Sequence, residues 1–437
     1  MERKNAWAAY AGDDGRVEAF AKAYCDFINN GKTERECVAY GEKLAKAHGF
    51  EDLNAVVRSG RKLEAGARVY ANWMGKSFML FVLGEKPLEE GMNILGAHID
   101  SPRIDVKQNP LYEDTDLAYL DTHYYGGIKK YQWVAIPLAL HGVIVRKTGE
   151  KVIINIGEDE NDPVFCISDL LVHLAQEQMT KNAKEVVEGE ALNLIVGGRP
   201  LEGEEKDAVK ANVLKLLADK YGVEEEDFLS AELEIVPAGK ARDMGFDRSM
   251  ILAYGHDDRV CAYPSMMAVL DYEGTPEYTL CCIVTDKEEI GSVGATGMRS
   301  HFFENALAEL MALCGEEGEL KLRRAMKNSR MLSCDVSAGF DPNFASVFEA
   351  KNAAFLGRGV CFNKFTGSRG KSGSNDANAE FLGHLRKIMD DNHVAWQTAE
   401  LGKVDVGGGG TIAYICALYG MEVVDSGVPV LSMHAPL

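Results

Sequence analysis

The chain has 437 residues, of which 46% are hydrophobic and 26% charged, so it excludes a disordered protein and allows a large core in more than one domain. The formal net charge of −20 argues against nucleic acid and anionic membranes as partners, because their phosphate groups repel such a surface. No stretch approaches the roughly 18 apolar residues of a membrane helix, and the first residues lack the pattern of a secretory signal. The ten cysteines form no CxxC pair and several lie in apolar runs, which predicts reduced thiols in a cytoplasmic protein.

The first part of the chain, residues 1–104, predicts a helix followed by strands. Apolar residues recur at helical spacing in "RVEAFAKAYCDFINN". Strands are indicated in "ARVYANWMGKSFMLFVLG" and "GMNILGAHID". We expect this part to begin a catalytic domain.

The middle part, residues 105–245, predicts a β-rich insertion. Two strands joined by a turn are indicated in "WVAIPLALHGVIVRKTGEKVIINIG", and another in "AELEIVP". Helices are predicted in "ISDLLVHLAQEQ" and "KDAVKANVLKLLADKYGV". This region is apolar enough to pair with a second chain, so we expect it to be a dimerisation or lid domain.

The last part, residues 246–437, alternates predicted strands with predicted helices. Short apolar runs of the buried-strand type are "YTLCCIVTD", "RMLSCDVSAG", "AAFLGRGVCF" and "GVPVLSMH". The intervening helices include "HFFENALAELMALCG" and "DANAEFLGHLRKIMDDN". The alternation predicts an α/β fold, namely a layered α/β/α catalytic domain with a mixed sheet that the β-rich domain interrupts.

Several predicted strands end on side chains that bind metals. The expected ligands at these strand ends are His98, Glu288 or Glu289, Asp335 and His434. Ligands of open α/β sheets gather at the carboxyl ends of strands, so the four segments predict a metal site at one edge. Each residue alone has a simpler interpretation: a core histidine, a turn aspartate, or acids that begin a helix.

Spacing within the motifs suggests different roles for neighbouring side chains. Residues two apart on a strand share a face, so Asp100 can fix the imidazole of His98. Adjacent residues diverge, so one of Glu288 and Glu289 can bind metal while the other faces bound water. Asp257 and Asp258 precede a predicted helix, where the alternative role of a carboxylate is to cap the helix.

The full set of motifs resembles the aspartyl aminopeptidase family of two-zinc exopeptidases. The matching motifs, in family order, are "GAHIDSPR", "HDDR", "DKEEIGS", "SCDVSAG", "SGSNDA", "GGGGTIA" and "LSMHAP". The resemblance implies an aminopeptidase that binds two Zn²⁺ per subunit, for which Co²⁺ or Mn²⁺ can substitute, and that acts on short peptides. The alternatives are a related two-metal deacylase or carboxypeptidase, or an oligomeric scaffold or cargo protein without activity.

The same resemblance implies a role for each site residue. Asp257 would bridge the two ions, with Asp258 as the rival bridge, and Glu288 would be the general base. The remaining ligands would be His98 and Asp335 for one ion, and Glu289 and His434 for the other.

The resemblance also implies how subunits assemble and which substrates they accept. Family members form dimers that build a tetrahedral dodecamer, and "ISDLLVHLAQEQ" matches the segment whose histidine, here His173, reaches a neighbouring active site. The family's basic side chain for acidic substrates aligns with Asn363 or Lys364, so the preferred N-terminal residue is acidic or broader. Family members usually continue with a further helix beyond the position of Leu437.

Overall fold

A computed structural model describes residues 4–367 and 369–437 of the chain. These residues fold into two compact units. The first unit comprises the chain up to Asp100 together with His256–Met433, and the second comprises Ser101–Gly255 with His434–Leu437. The predicted insertion, residues 105–245, lies within the second unit, and its function as a dimerisation domain stays a prediction.

The strands of the first unit form a nine-stranded sheet and a short two-stranded one. The strands of the large sheet are β1 (Glu51–Asp52), β2 (Arg68–Trp73), β3 (Ser77–Val82), β4 (Met92–His98), β13 (Thr279–Thr285), β14 (Arg330–Cys334), β16 (Val360–Asn363), β17 (Trp396–Thr398) and β18 (Glu422–Gly427). The short sheet pairs β15 (Ser337–Ala338) with β19 (Pro429–Val430). The large sheet has the order β1-β2-β3-β13-β4-β14-β18-β16-β17 and mixes parallel with antiparallel pairs, as predicted.

Helices cover both faces of this sheet, which confirms the predicted α/β class. The helices of the first unit are α1 (Asp14–Asn30), α2 (Glu34–Ala47), α3 (Leu53–Ser59), α5 (His256–Leu270), α6 (Phe302–Leu313), α7 (Glu319–Asn328), α8 (Ala379–Asp391) and α9 (Ala413–Ala417). On one face, α3, α6, α7 and α9 pack against alternate strand residues such as Ile94, Ile283 and Met331 in one hydrophobic core. On the other face, α5 packs against β4 and β13, and α8 packs beside Phe362 and Val424. The central strands are apolar on both sides because both sides are covered.

The second unit is built on a six-stranded sheet of order β8-β7-β10-β5-β6-β9. Its elements are β5 (Arg103–Asp114), β6 (Leu117–Tyr125), β7 (Leu138–Val145), β8 (Lys151–Ile156), β9 (Leu194–Gly197), α4 (Ala208–Tyr221), β10 (Ala231–Pro237) and the hairpin of β11 (Arg242–Met244) and β12 (Met250–Leu252). Trp133 and Ile235, both fully buried, lie in its core. In the described part of the chain, no helix combines the length and apolar character that crossing a membrane requires.

Three predicted elements differ from the structure. "ISDLLVHLAQEQ" is not a helix but contains the 3₁₀ turn Val172–Leu174 and ends where a second turn, Gln178–Thr180, begins. In "AAFLGRGVCF" only β16 is a strand, because Gly357 and Gly359 take positive φ angles of 73° and 87° that break the extended run.

The third difference concerns the last predicted strand, "GVPVLSMH". The buried strand is the preceding segment β18, and the chain reaches His434 through the short strand β19 and a turn. The sequence pattern did not indicate β18 as a buried strand because polar residues, among them Asp425 and Ser426, interrupt its apolar run.

Candidate metal centre

Three neighbouring strands deliver acidic and histidine side chains to one edge of the large sheet. β13 and β14 both pair in parallel with β4, so their carboxyl ends point the same way. His98 is the last residue of β4, Asp335 directly follows β14, and a 3₁₀ turn at Glu288–Ile290 follows β13. The sequence therefore predicted the placement of these residues through the positions at which the apolar runs stop.

The imidazole of His98 is held in one orientation. Its Nδ1 lies 3.0 Å from the backbone oxygen of Asp100 and 3.3 Å from the Asp100 carboxylate. A carbonyl oxygen can only accept, so Nδ1 carries a proton, and Nε2 is the ring nitrogen that would bind a metal on losing its own proton. That Nε2 lies 3.1 Å from Asp257 Oδ1 and 3.9 Å from Glu288 Oε2.

Asp100 also fixes the turn that carries the paired glutamates. Its buried carboxylate accepts hydrogen bonds from the backbone amides of Glu288, at 3.1 Å, and Glu289, at 3.2 Å. Charge-assisted bonds of this kind are stronger than neutral ones. Asp100 thus links the histidine to both glutamates, and the sequence predicted only the link to the histidine.

Asp257 and Asp258 lie at the start of α5 with non-helical backbone angles, and the peptide bond between them is cis. The two carboxylates face different partners. Asp257 faces His98 Nε2, whereas Asp258 Oδ2 accepts a 3.4 Å hydrogen bond from the backbone amide of His98. Both aspartates are buried.

The donor atoms fit a zinc centre. Two triads each bring one nitrogen or oxygen per residue within 4.8 Å of one another: His98, Asp258 and Asp335, and His98, Asp257 and Glu289. Imidazole nitrogen and carboxylate oxygen are ordinary zinc ligands. Most of these side chains are buried, and a buried cluster of carboxylates is favourable only when a cation or protons offset its charge.

The titration of the cluster reflects this concentration of negative charge. Burial and the carboxylate of Asp257 raise the pKa of Asp258 well above its usual range, although His98 opposes the shift. Burial and the neighbouring Asp258 likewise raise the pKa of Asp335. Burial lowers the pKa of His98, but hydrogen bonds to Asp100 and Asp257 outweigh it and raise the pKa overall.

Two predicted site residues lie in the second unit. His434 Nδ1 lies 2.9 Å from the backbone oxygen of Gly127, so Nδ1 carries a proton and Nε2 is the ring nitrogen suited to bind a metal. His173 lies in the 3₁₀ turn Val172–Leu174, exposed among exposed apolar residues.

The residues proposed to recognise an acidic substrate have other partners. Asn363 is buried, and its Oδ1 accepts from Ser337 Oγ at 3.1 Å and from Cys361 Sγ at 3.4 Å. Lys364 forms an ion pair with Asp376, to which Lys371 also binds at 3.1 Å. This pair lies in the loop 364–376, of which residue 368 is outside the described residues.

One supporting residue was not predicted from the sequence. The guanidinium of Arg259 is fully buried, with Nε 3.2 Å from the backbone oxygen of Ile99 and Nη2 2.9 Å from that of Lys32. It therefore ties the end of β4 to the segment before α2. The motif "HDDR" contains this arginine, but a single sequence does not distinguish a buried, supporting arginine from an exposed one.

Known proteins resemble the chain over its whole length. Residues 27–437 match the family model described as aminopeptidase I zinc metalloprotease, M18. A probable M18 family aminopeptidase 1 from Clostridium acetobutylicum is 59% identical, over 100% of this chain and 94% of that protein. A probable M18 family aminopeptidase 2 from Ectopseudomonas mendocina is 27% identical, over 96% of this chain and 93% of that protein.

Solved structures agree with this assignment. The M18 aminopeptidase of Thermotoga maritima matches with a TM-score of 0.94 and 45% identity, over 100% of this chain and 95% of that chain. Aminopeptidase I of Clostridium acetobutylicum gives a TM-score of 0.92 and 56% identity over the same shares. The S. cerevisiae mApe1 dodecamer shares the fold, with a TM-score of 0.75 and 19% identity over 96% of this chain and 92% of that chain.

The resemblance seen in the motifs is thereby confirmed at the level of the family. The descriptions of these relatives favour an aminopeptidase over the deacylase, carboxypeptidase and scaffold alternatives. The chain belongs to the M18 family of zinc metalloproteases and is an aminopeptidase.

Proposed function

We propose that this aminopeptidase removes N-terminal residues from short peptides with water that two zinc ions would activate and with Glu288 as the general base. One observation carries the proposal: Asp100 binds the backbone amides of Glu288 and Glu289, so the two carboxylates are held on one turn beside His98. Two adjacent side chains with a shared anchor and different directions suit one ligand and one base. Bound zinc would lower the pKa of water towards about 7 and polarise the substrate carbonyl.

Within this proposal, Asp257 would be the ligand shared by both ions. Its carboxylate faces the Nε2 atom of His98, which is the nitrogen left to bind metal. Asp258 already accepts the backbone amide of His98, which favours a supporting role for it. The other ligands would be Asp335 beside His98, and Glu289 with His434.

Glu288 would move the proton. Its carboxylate would take a proton from the attacking water and deliver it to the leaving amine, a transfer typically worth about 10²–10⁴-fold in rate. The surrounding carboxylates would attract the free ammonium of the substrate N-terminus, which accounts for exopeptidase action.

We also propose that the preferred N-terminal residue is not restricted to acidic ones. The family position for acid recognition falls on Asn363 or Lys364. The amide of Asn363 is bound inside the protein and Lys364 is paired with Asp376, so an acidic substrate would compete with Asp376.

Assembly is part of the proposed mechanism. We propose a homo-oligomer of the family type, a tetrahedral dodecamer built from dimers, in which His173 of one subunit serves the active site of another. The exposed apolar residues around His173 support a protein contact at this segment. The ten free cysteines, in the described residues, support an intracellular, cytoplasmic setting.

The direct test replaces Glu288 by glutamine in zinc-loaded protein. Turnover of an aminoacyl-arylamide should fall at least about a hundredfold. Zinc content should remain unchanged because Glu288 is not proposed as a ligand. The matched control is Glu64→Gln, at an exposed glutamate of the same unit. Near-normal turnover of Glu288→Gln would contradict the assignment.

Substrate class needs a second measurement on the same preparations. A panel of free-amine and N-blocked peptides with acidic, basic and neutral first residues should show cleavage of free-amine peptides of more than the acidic class. Cleavage of blocked peptides at equal rates would instead support the amidohydrolase alternative.

A further inference from the structure

The turn that carries Glu288 and Glu289 belongs to a longer loop whose two ends meet. Asp286 and Gly297 form an isolated parallel bridge, so the chain leaves β13 and returns to it eleven residues later. Within the loop, the amide of Ser292 donates to the backbone oxygen of Lys287 at 2.6 Å. The position of the turn therefore depends on how firmly the base of the loop is closed.

Three buried polar side chains close this base. Thr296 Oγ1 donates to Asp286 Oδ2 at 2.6 Å. Ser77 Oγ, on the adjoining strand β3, donates to the backbone oxygen of Thr296 at 2.5 Å and accepts the amide of Asp286 at 3.2 Å. All three side chains are at most 3% exposed. We call these residues the Asp286 network.

The buried carboxylate of Asp286 makes the loss of a hydrogen bond in this network unfavourable in free energy. Burial, together with the nearby carboxylates of Glu34 and Asp100, raises the pKa of Asp286. Its charged form is supported by the hydroxyl of Thr296 and by Lys287 Nζ at 2.9 Å. Removing the hydroxyl leaves a buried acceptor with one fewer donor, which the loop can relieve only by moving.

We propose that Asp286, Thr296 and Ser77 are positioning residues for the Glu288–Glu289 turn, in addition to Asp100. Asp100 holds the amides of the turn, and the Asp286 network holds the base of the loop from which the turn projects. The inference rests on the proposed roles of Glu288 as base and Glu289 as ligand. A misplacement of about 1 Å can cost up to about a hundredfold in rate.

The test replaces Thr296 by valine, which keeps the shape of the side chain and removes the hydroxyl. We expect kcat to fall about tenfold with little change in KM, because the base rather than substrate binding is displaced. Zinc should also dissociate faster into a chelator, since Glu289 is on the same turn. Thr296→Ser, which restores the hydroxyl, should recover both values.

The chain offers a matched control at the neighbouring strand end. Thr285 is as buried as Thr296, lies one residue before Asp286, and its hydroxyl has no hydrogen-bond partner among the described residues. Thr285→Val should therefore leave kcat and zinc release near the values of the unmodified enzyme. Equal behaviour of Thr296→Val and Thr285→Val would overturn the inference.

Two further measurements complete the experiment. Ser77→Ala removes the other side of the network and should reproduce the effect of Thr296→Val, so a folding defect in one variant does not decide the outcome. Unchanged kcat and zinc release in a folded Ser77→Ala variant would count against the network. In the Glu288→Gln background, Thr296→Val should lower kcat much less than it does in the native enzyme, because the network acts through Glu288. Full activity of the Glu288→Gln variant alone would refute the proposed general base and would leave the network untouched.

Discussion

Two regions of the molecule depart from the usual pattern of buried apolar and exposed charged residues, and they do so in opposite ways. In the first unit, acidic side chains around His98 are buried next to one another. In the second unit, the segment Leu170–Leu174 exposes leucine and valine side chains, with Leu174 70% exposed. We call these regions the carboxylate cluster and the apolar segment.

The difference indicates which kind of partner would stabilise each region. The carboxylate cluster concentrates like charges, which a divalent cation neutralises. The apolar segment presents hydrophobic surface to water, and a surface of this kind suits a contact with another protein. One region is thus suited to an ion and the other to a subunit, and mutations should separate the two requirements.

The largest effect should come from removing a ligand in the carboxylate cluster. If two zinc ions bind as proposed, Asp257→Asn should lower zinc content towards one or none per chain and activity by more than about a hundredfold, because it removes the carboxylate proposed to bridge them. Asp258→Asn, next to it and equally buried, should have a smaller effect on both. Elemental analysis and turnover measure the two quantities, and the opposite order would assign the bridge to Asp258.

Next in size should be the loss of assembly when the apolar segment becomes polar. Leu171→Ser combined with Leu174→Ser should shift the protein to smaller species in analytical ultracentrifugation. Leucines that become buried at an interface stabilise the assembly by removing apolar surface from water. These species should be inactive although their zinc content is normal. The control is Leu216→Ser on α4, a leucine that is 60% exposed outside the segment.

If the double variant remained fully assembled, the apolar segment would not be a subunit contact. Active small species would separate assembly from catalysis. The first result would break the proposed division between an ion-binding and a subunit-binding region, and the second would contradict an active site shared between subunits.

A smaller effect is expected for His173→Ala. The protein should stay assembled and bind zinc, but kcat should fall by about tenfold to a hundredfold if the imidazole stabilises the developing oxyanion. Mixing this variant with Glu288→Gln and allowing subunit exchange should restore part of the activity, because some sites then combine an intact Glu288 with a partner's intact histidine. No recovery after confirmed exchange would place His173 outside any shared site.

The smallest effect is expected for a buried carboxylate outside the carboxylate cluster, whose charge a proton and not a metal ion would neutralise. Asp425 on β18 lies outside both triads, is 3% exposed and accepts a 2.5 Å hydrogen bond from Thr411 Oγ1. Burial raises its pKa from 3.8 to about 7, so a proton rather than a metal relieves its charge. The folded protein then binds more protons than the unfolded chain between about pH 4 and pH 7, and this residue lowers stability as the pH rises through that range.

Asp425→Asn should remove this pH dependence. Relative to the native protein, the Tm of the variant should rise by about 3 °C between pH 5 and pH 8. Asp391→Asn, at an exposed end of α8, is the control and should show no such trend. A pH-independent difference would mean that Asp425 stays ionised in the folded state.

Part of the carboxylate cluster was predictable from the sequence because His98, the Glu288–Glu289 pair and Asp335 lie at or just beyond the ends of apolar strands. The runs before His98, Glu288 and Asp335 end where β4, β13 and β14 end. The Asp286 network was not predictable, since its members are distant in sequence and Ser77 and Thr296 carry no pattern that separates them from ordinary polar residues. Hydrogen bonds between strands and loops appear only once the chain is folded.

The prediction of a helix in the apolar segment was wrong for a related reason. Its apolar spacing predicted a helix, but an amphipathic helix is stable mainly when its apolar face packs against a core. Here the leucines are exposed and only single 3₁₀ turns form. A pattern of apolar residues suited to the proposed subunit contact therefore resembles one that serves the interior of the same chain.

The anchoring of Glu288 and Glu289 through their backbone amides has a consequence for engineering. Because Asp100 binds main-chain groups, this anchoring does not require particular side chains at the two positions. We therefore expect either position to accept a shorter carboxylate, an amide or an imidazole while the backbone path of the turn persists. The turn is therefore a suitable place at which to install other metal chemistries in this protein, with Asp100 left unchanged.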